Sequence, residues 1–434
     1  MANPEMTMDD LILVSVDDHV NEPADIFQRH IAPKFKDRAP KVVLTQHGQA
    51  WEIEGVRSGG LGLNAVVGRP KTEYGFEPTS YDQMRPGTYD IEARIDDMNV
   101  NGVLGSICFP QFPGFAGARF LRMQDKELAL ATIQAYNDWH IHDWCGPYPE
   151  RFIPLALLPL WDIDLTMAEL KRVHALGVHA ISFSDNPALL GLPSIHSEVW
   201  EPLWKFCADN QVVICCHIGT GAAAAHASDE SPIGSWITAM PISISNSAAD
   251  WLFASFWKRY PTLKMALSEG GIGWIPYFLE RADFTVQQHG AWTNLDLGMK
   301  PSELFRKHFI TCFIEDEFGL HNLDYIGEDL VTWECDYPHS DCGWPNSPEI
   351  VWKGLQHLKK STIDKVTHLN TMREFSYQPF EKMGGAKNCT VGALRAKAKN
   401  VDTSEKGFLG GLNPRFDPNR PVTSGDIKKI LTTI

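Results

Sequence analysis

No run of about 18 apolar residues occurs anywhere in the 434 residues, so no membrane-spanning helix is expected. Basic charge is scarce: 39 Lys and Arg stand against 54 Asp and Glu, a formal net charge of −15. So acidic a chain repels phosphate backbones and anionic lipid surfaces, and neither nucleic acid nor a membrane is expected as a partner. No C-x-x-C pair occurs. The nine cysteines are odd in number and scattered, with Cys215 and Cys216 adjacent inside an apolar run. Buried, reduced thiols in a cytoplasmic protein fit that pattern, and a chain this long can bury a core without disulfides. The opening stretch MANPEMTMDDLILVSV lacks a basic region followed by a long apolar core, so no signal peptide is expected.

Present instead are eight short apolar runs, each closed by polar or Gly residues. They are 11–19, 103–110, 151–160, 178–185, 211–219, 263–271, 308–316 and 330–341. The runs are continuous rather than alternating, as strands buried on both faces are. Helical spacing fills most gaps. Residues 125–145 and 163–177 carry apolar side chains every three or four positions, the second stopping at Gly177, and 197–210 opens on Ser197. Eight strands alternating with helices predict a parallel (β/α)8 TIM barrel. A doubly wound open sheet competes, weakened by the lack of a G-x-G-x-x-G after the first run.

Two segments exceed a minimal barrel. Residues 24–100 separate the first two strands and contain a hairpin-like stretch, 42–56, followed by the Gly-rich 58–70. We expect an inserted subdomain or lid within a barrel of residues 1–384. Residues 385–434 lose apolar period and read as an extended arm ending in a short helix, packing on the barrel or on a neighbouring subunit.

Active sites of such barrels form at the carboxyl ends of the strands. Strand 1 ends in Asp17, Asp18 and His19; strand 5 in His217; strand 6 in Glu269; strand 7 in Glu315 and Asp316; strand 8 in Asp336, with His339 beyond. Singly, each reads as a turn or a structural histidine. Gathered at one barrel end, they need a positive charge among them, because buried like charges repel. A divalent cation supplies it. Two His nitrogens and two carboxylates suit zinc or manganese. Residues two apart on a strand share a face, so Asp17 and His19 are expected to point into the mouth together.

The stretches VSVDDHVNEP, CCHIG, LSEGGIGWIPYFLERAD and CDYPHSD resemble the amidohydrolase superfamily over residues 11–384. The resemblance is closest to the branch holding aminocarboxymuconate-semialdehyde and gamma-resorcylate decarboxylases with lactone and C–C hydrolases. It implies Asp17, His19, His217 and Asp336 as ligands of one metal, since the fourth strand ends SFSD, without the Lys that bridges two metals in some members. Decarboxylases of the branch carry His where this chain has Glu269. A carboxylate is a poor neighbour for a departing carboxylate, so the expectation is hydrolysis of an amide, lactone, ester or C–C bond by metal-activated water. Asp336, Glu269 and His339 are the expected catalytic groups. Decarboxylation of a hydroxyaryl or related acid is the alternative, and a non-catalytic ligand-binding barrel a third.

Trp161, Phe112 and Arg69 are expected at the substrate, with Phe109, Phe115, Trp344 and Lys71 as further candidates. The small-residue segment 219–235 after strand 5 is expected to be a lid. A small-molecule substrate and a homo-oligomer, a dimer or a multiple of one, complete the expectation.

Overall fold

A computed structural model of the protein describes residues 6–46, 48–75, 78–221, 224–398, 400–408 and 416–433. Its eight barrel strands are β1 (Leu13–Val20), β2 (Val103–Pro110), β3 (Phe152–Ile153 and Leu155–Ala156), β4 (Ala180–Ser184), β5 (Val213–His217), β6 (Met265–Ser268), β7 (Phe309–Phe313) and β8 (Val331–Trp333). All pair in parallel, in the cyclic order β3-β2-β1-β8-β7-β6-β5-β4-β3. Closure runs through the interrupted β3. Pro154 has no N–H to give a ladder, so Phe152–Ile153 pairs with β2 and Leu155–Ala156 with β4. The result is a TIM barrel, and each of the eight apolar runs contributes one strand.

Burial on both faces explains why those runs are continuous. Ile12, Val14, Val16, Ile107, Phe109, Val213, Cys215, Ala266, Ile310 and Cys312 fill the barrel interior. Leu13, Ile214, Cys216, Leu267 and Phe313 face the helices instead. Aromatic residues dominate that outer layer, where Phe183, Trp200, Trp204 and Trp251 meet edge to face or tilted.

The helix expected over 125–145 runs from Lys126 to Trp139, capped by the Asp125 carboxylate, and continues as a π turn over His140–Cys145. The 163–177 helix spans Ile163–His174, with Gly177 left-handed at φ 92°. The hairpin expected at 42–56 gains a third strand: Lys41–Thr45, Gly48–Ile53 and Val56–Ser58 form an antiparallel sheet. Its buried Trp51 stacks on Phe112 at 4.3 Å. Beyond it, the N–H groups of Val66 and Val67 donate to the carbonyl of Pro338, which fastens this segment beside the exit of β8.

After the barrel, helix Val391–Arg395 packs against Met8–Asp10 and Ile91–Val100, with Arg395 bonded to both oxygens of Glu349. Further on, Lys406 N donates to Gly68 O and Phe408 N to Glu73. Helix Ser424–Thr433 meets the segment after β5: Ile233 N donates to Val422 O, Ser424 N to Ser231 O, and Ser424 Oγ lies 2.7 Å from His226 Nδ1. The described C-terminal residues thus hold two loops of the same chain.

Candidate active site

Asp17, His19, His217 and Asp336 meet at the carboxyl ends of β1, β5 and β8. His19 Nε2 lies 3.5 Å from Asp17 Oδ1 and 3.2 Å from Asp336 Oδ1; His217 Nε2 lies 3.5 Å from Asp17 Oδ2. All four side chains are buried. The joint inward aim of Asp17 and His19 has a cause that alternation alone does not provide. Val14 and Val16 already point inward, so a regular strand would turn Asp17 outward. The β1–β2 ladder slips between Ser15 and Asp18, and that irregularity re-aims Asp17 beside His19.

Glu269 and His339 complete the group. Glu269 Oε2 is 3.0 Å from His217 Nε2, and His339 Nδ1 is 2.9 Å from Asp336 Oδ1, with the His339 ring stacked on His19 at 3.8 Å between centroids. Glu269 is the least buried member, its side chain 19% exposed. Both Glu269 (φ 59°) and Asp336 (φ 58°) hold left-handed backbone, which costs a residue with a Cβ free energy and collects at functional sites.

The electrostatics of these groups, taken without a cation, do not balance. Burial pushes Asp17 well above the ordinary carboxylate range, and the fields of Glu334, Glu269 and Asp18 add to it against a bond from Ser268. Asp336 is pushed the same way, by burial first and then by Glu269 and Asp17. Burial lowers His19 well below its ordinary value and His339 to about 4. For Glu269, burial pushes upward, but the closeness of His217 and, after it, the field of His339 outweigh it and leave the carboxyl below its ordinary value.

Seven buried atoms of these four residues have no hydrogen-bond partner among the described residues: both oxygens of Asp17 and of Asp336, both ring nitrogens of His19, and Nε2 of His217. Buried polar atoms are rarely left unsatisfied. His217 Nδ1 lies 2.7 Å from Ile218 O, a contact that places the proton on Nδ1 and turns the Nε2 lone pair towards the carboxylates. Lone pairs then face lone pairs at distances of 3.0–3.5 Å, an arrangement that a cation between them reconciles. Asp17, His19 and His217 form one set able to hold a metal ion; His19, Glu269, Asp336 and His339 form a second, overlapping set.

Other expectations land elsewhere. Glu315 is exposed, and Asp316 accepts from the N–H groups of Ile272, Gly273 and Gly319, which makes it a loop clasp and helix cap. Phe112 is core, packed on Phe27, Trp51 and Phe120. Trp161 lies beneath Lys126 at 5.0 Å. Arg69 is buried, bonds the carbonyl of Gln83 and lies over Phe408. Trp344 stacks under Arg85 and bonds Asp97 O. Of the aromatic candidates, Phe115 faces the cluster, 4.0 Å from His217 and 4.8 Å from His19, with Phe109 behind it at 5.1 Å from His217. Within the expected lid, Ala222 and Ala223 lie outside the described residues.

Sequence reasoning missed the layer behind the cluster. Buried Glu334 is pushed up to about 8 by burial; it accepts from Glu269 N at 3.1 Å and from Cys312 Sγ at 2.6 Å. Its place two residues before Asp336, in the run that closes the eighth strand, was the available signal. Buried Arg94 donates to the backbone carbonyls of His19 and Gly87 and covers the ring of Tyr337. Tyr337 in turn donates to Asp97 and, through its N–H, to Asp18. Nothing local in the sequence marks Arg94 as internal.

A family model described as amidohydrolase matches residues 28–375. Among curated proteins, the chain is 27% identical over 221 residues to a 2-amino-3-carboxymuconate-6-semialdehyde decarboxylase of Dictyostelium discoideum, covering 48% of this chain and 57% of that one. It is 28% identical over 222 residues to the decarboxylase orsB of Emericella nidulans, covering 48% of this chain and 62% of that one. The chain thus spans under two thirds of either relative's length. Among solved structures, an amidohydrolase from Mycobacterium avium subsp. paratuberculosis shares the fold with a TM-score of 0.64 at 20% identity, over 84% of this chain and 99% of that one. A 5-carboxyvanillate decarboxylase from Novosphingobium aromaticivorans, solved with manganese and 4-hydroxy-3-methoxy-5-nitrobenzoic acid, gives 0.58 at 17% identity, over 86% and 99%.

Proposed function

The chain belongs to the amidohydrolase family, and from that premise we propose that it is a metal-dependent, non-oxidative decarboxylase of a small hydroxyaryl or related carboxylic acid. Asp17, His19, His217 and Asp336 hold one divalent cation in this reading, zinc or manganese by donor chemistry. The observation that carries it is the set of seven buried, unpartnered atoms on these four residues. Bound there, the cation would supply the charge that lets the buried carboxylates ionise and would polarise an oxygen-bearing substrate.

The chain's own residues do the rest. The Nδ1 contact to Ile218 O keeps the His217 ring in one tautomer. Asp336, through His339 at 2.9 Å, takes the proton of the substrate's neighbouring hydroxyl and returns it to the carbon that loses carbon dioxide, where the electron pair of the broken C–C bond receives it. At about 4, His339 is neutral near pH 7, so it relays a proton rather than storing one. The Phe115 ring offers an apolar face to an aromatic substrate and excludes water on that side.

Hydrolysis, which the sequence put first, becomes the second reading. Partly exposed Glu269 favours it, as a base for water; the names of the curated relatives favour decarboxylation. The deciding assay gives the manganese- or zinc-loaded protein a panel of hydroxybenzoates beside lactones, esters and amides. Carbon dioxide released from the first group is the expected outcome; turnover confined to the second restores hydrolysis. A homo-oligomer remains the proposed assembly, open to sedimentation analysis.

A further inference from the structure

Glu22 lies three residues beyond His19, 1% exposed. Its two carboxylate oxygens accept from two successive backbone amides, Oε1 from Gln111 N at 3.0 Å and Oε2 from Phe112 N at 2.8 Å. Those amides begin the loop that leaves β2. Gln111 also donates through Nε2 to Leu63 O, and Tyr81 donates its hydroxyl to the carbonyl of Glu22, so the inserted segment converges on the same point. Three residues further along, the Phe115 ring lies against His217 and His19, 6.4 Å from His339. Ser182 donates to the carbonyl of Phe115 at the far end of the loop.

We propose that Glu22 is a positioning residue of this site: by clamping the 111–115 loop it holds the Phe115 ring over the two histidines and so fixes how an aromatic substrate lies on the metal. The inference rests on the metal-dependent reading above and assigns a role to a group that the proton chemistry does not use. A buried carboxylate is a costly anchor for a loop. The groups facing it are Arg119, whose charge favours ionisation, and the hydroxyls of Tyr81 and Tyr136; burial still lifts Glu22 to about 7. What a carboxylate offers here, and an amide does not, is two acceptors side by side for two adjacent N–H groups. Glutamine turns an NH2 donor towards one of those amides, which frees the loop while keeping the size of the side chain.

The test is a double-mutant cycle with Glu22→Gln and Phe115→Ala in the manganese-loaded protein. The probe is 4-hydroxy-3-methoxy-5-nitrobenzoic acid, with manganese affinity and thermal midpoint measured beside it. Each single change is expected to weaken probe binding about tenfold, with manganese affinity held within about twofold. The double variant should bind no worse than Phe115→Ala alone. Full additivity overturns the proposal, because Glu22 then acts independently of Phe115; so does unchanged probe binding in folded Glu22→Gln. Should Glu22→Gln fail to fold, Glu22→Asp keeps the charge but retracts by one methylene and reads the same cycle. Wild-type protein that binds neither manganese nor probe overturns the metal-dependent reading itself, an outcome separate from additivity.

Discussion

Asp336 carries two demands at the residue scale. It faces the cluster, and it holds left-handed backbone at φ 58°. Asparagine tolerates that conformation and matches the side chain's volume, so Asp336→Asn changes charge with little change in shape. The expected result is a folded protein with a thermal midpoint near wild type, metal content below one equivalent and kcat reduced about 10²–10⁴-fold. Turnover left intact would sink both decarboxylation and hydrolysis as written here.

Among the elements, the segment following β5 is held by distant chain. Residues 226–233 are bonded to 422–428 through Ile233 N, Ser424 N, Gly425 N, His226 and the Asp229–Lys428 ion pair. These bonds run to no barrel strand, so removing residues 416–434 should loosen the 226–233 segment and leave the barrel folded. We expect faster amide exchange over 226–233, a thermal midpoint changed by only a few degrees, and KM raised severalfold. Unchanged exchange in that segment would mean that the C-terminal helix does not control it.

For the whole molecule, the buried charges make stability depend on pH, and a bound metal is expected to weaken that dependence. Carboxyls raised in the folded state bind protons more tightly than when unfolded, so their contribution is lost as pH rises towards the folded value. Glu334 titrates near 8, and burial holds Asp17 and Asp336 well above the ordinary carboxylate range, with the fields of Glu269 and Glu334 adding to both. Buried histidines act oppositely. His140 near 3, with His308, His339 and His368 near 4, gain stability as pH rises to 6.5 and nothing beyond. From about pH 6.5 to 8 the carboxyls act alone. Chelator-treated protein should lose on the order of 1 kcal/mol per pH unit for each carboxyl still protonated. Saturating metal should flatten that slope and add about 3 kcal/mol at a hundredfold excess over Kd. Urea unfolding with chelator and with manganese, at three pH values across the window, checks both. Metal-free stability that rises over the window would contradict the buried-carboxylate cluster.

The sequence by itself determined the barrel and four meeting points of its site. Eight doubly buried strands leave a repeating apolar signature, and the polar residues that close β1, β5 and β8 can only gather at one end once the strands run parallel. Tertiary structure decided the rest, because it depends on contacts between remote segments. The slip in β1 turned Asp17 inward, Pro154 split the strand that closes the barrel, and Glu334, Arg94 and Glu22 acquired their roles by burial that no local pattern encodes. The same limit moved Phe112, Trp161 and Arg69 away from the cluster and left Phe115 facing it. An aromatic residue after a strand reads alike in sequence, whether the loop folds it under the inserted sheet or over the histidines.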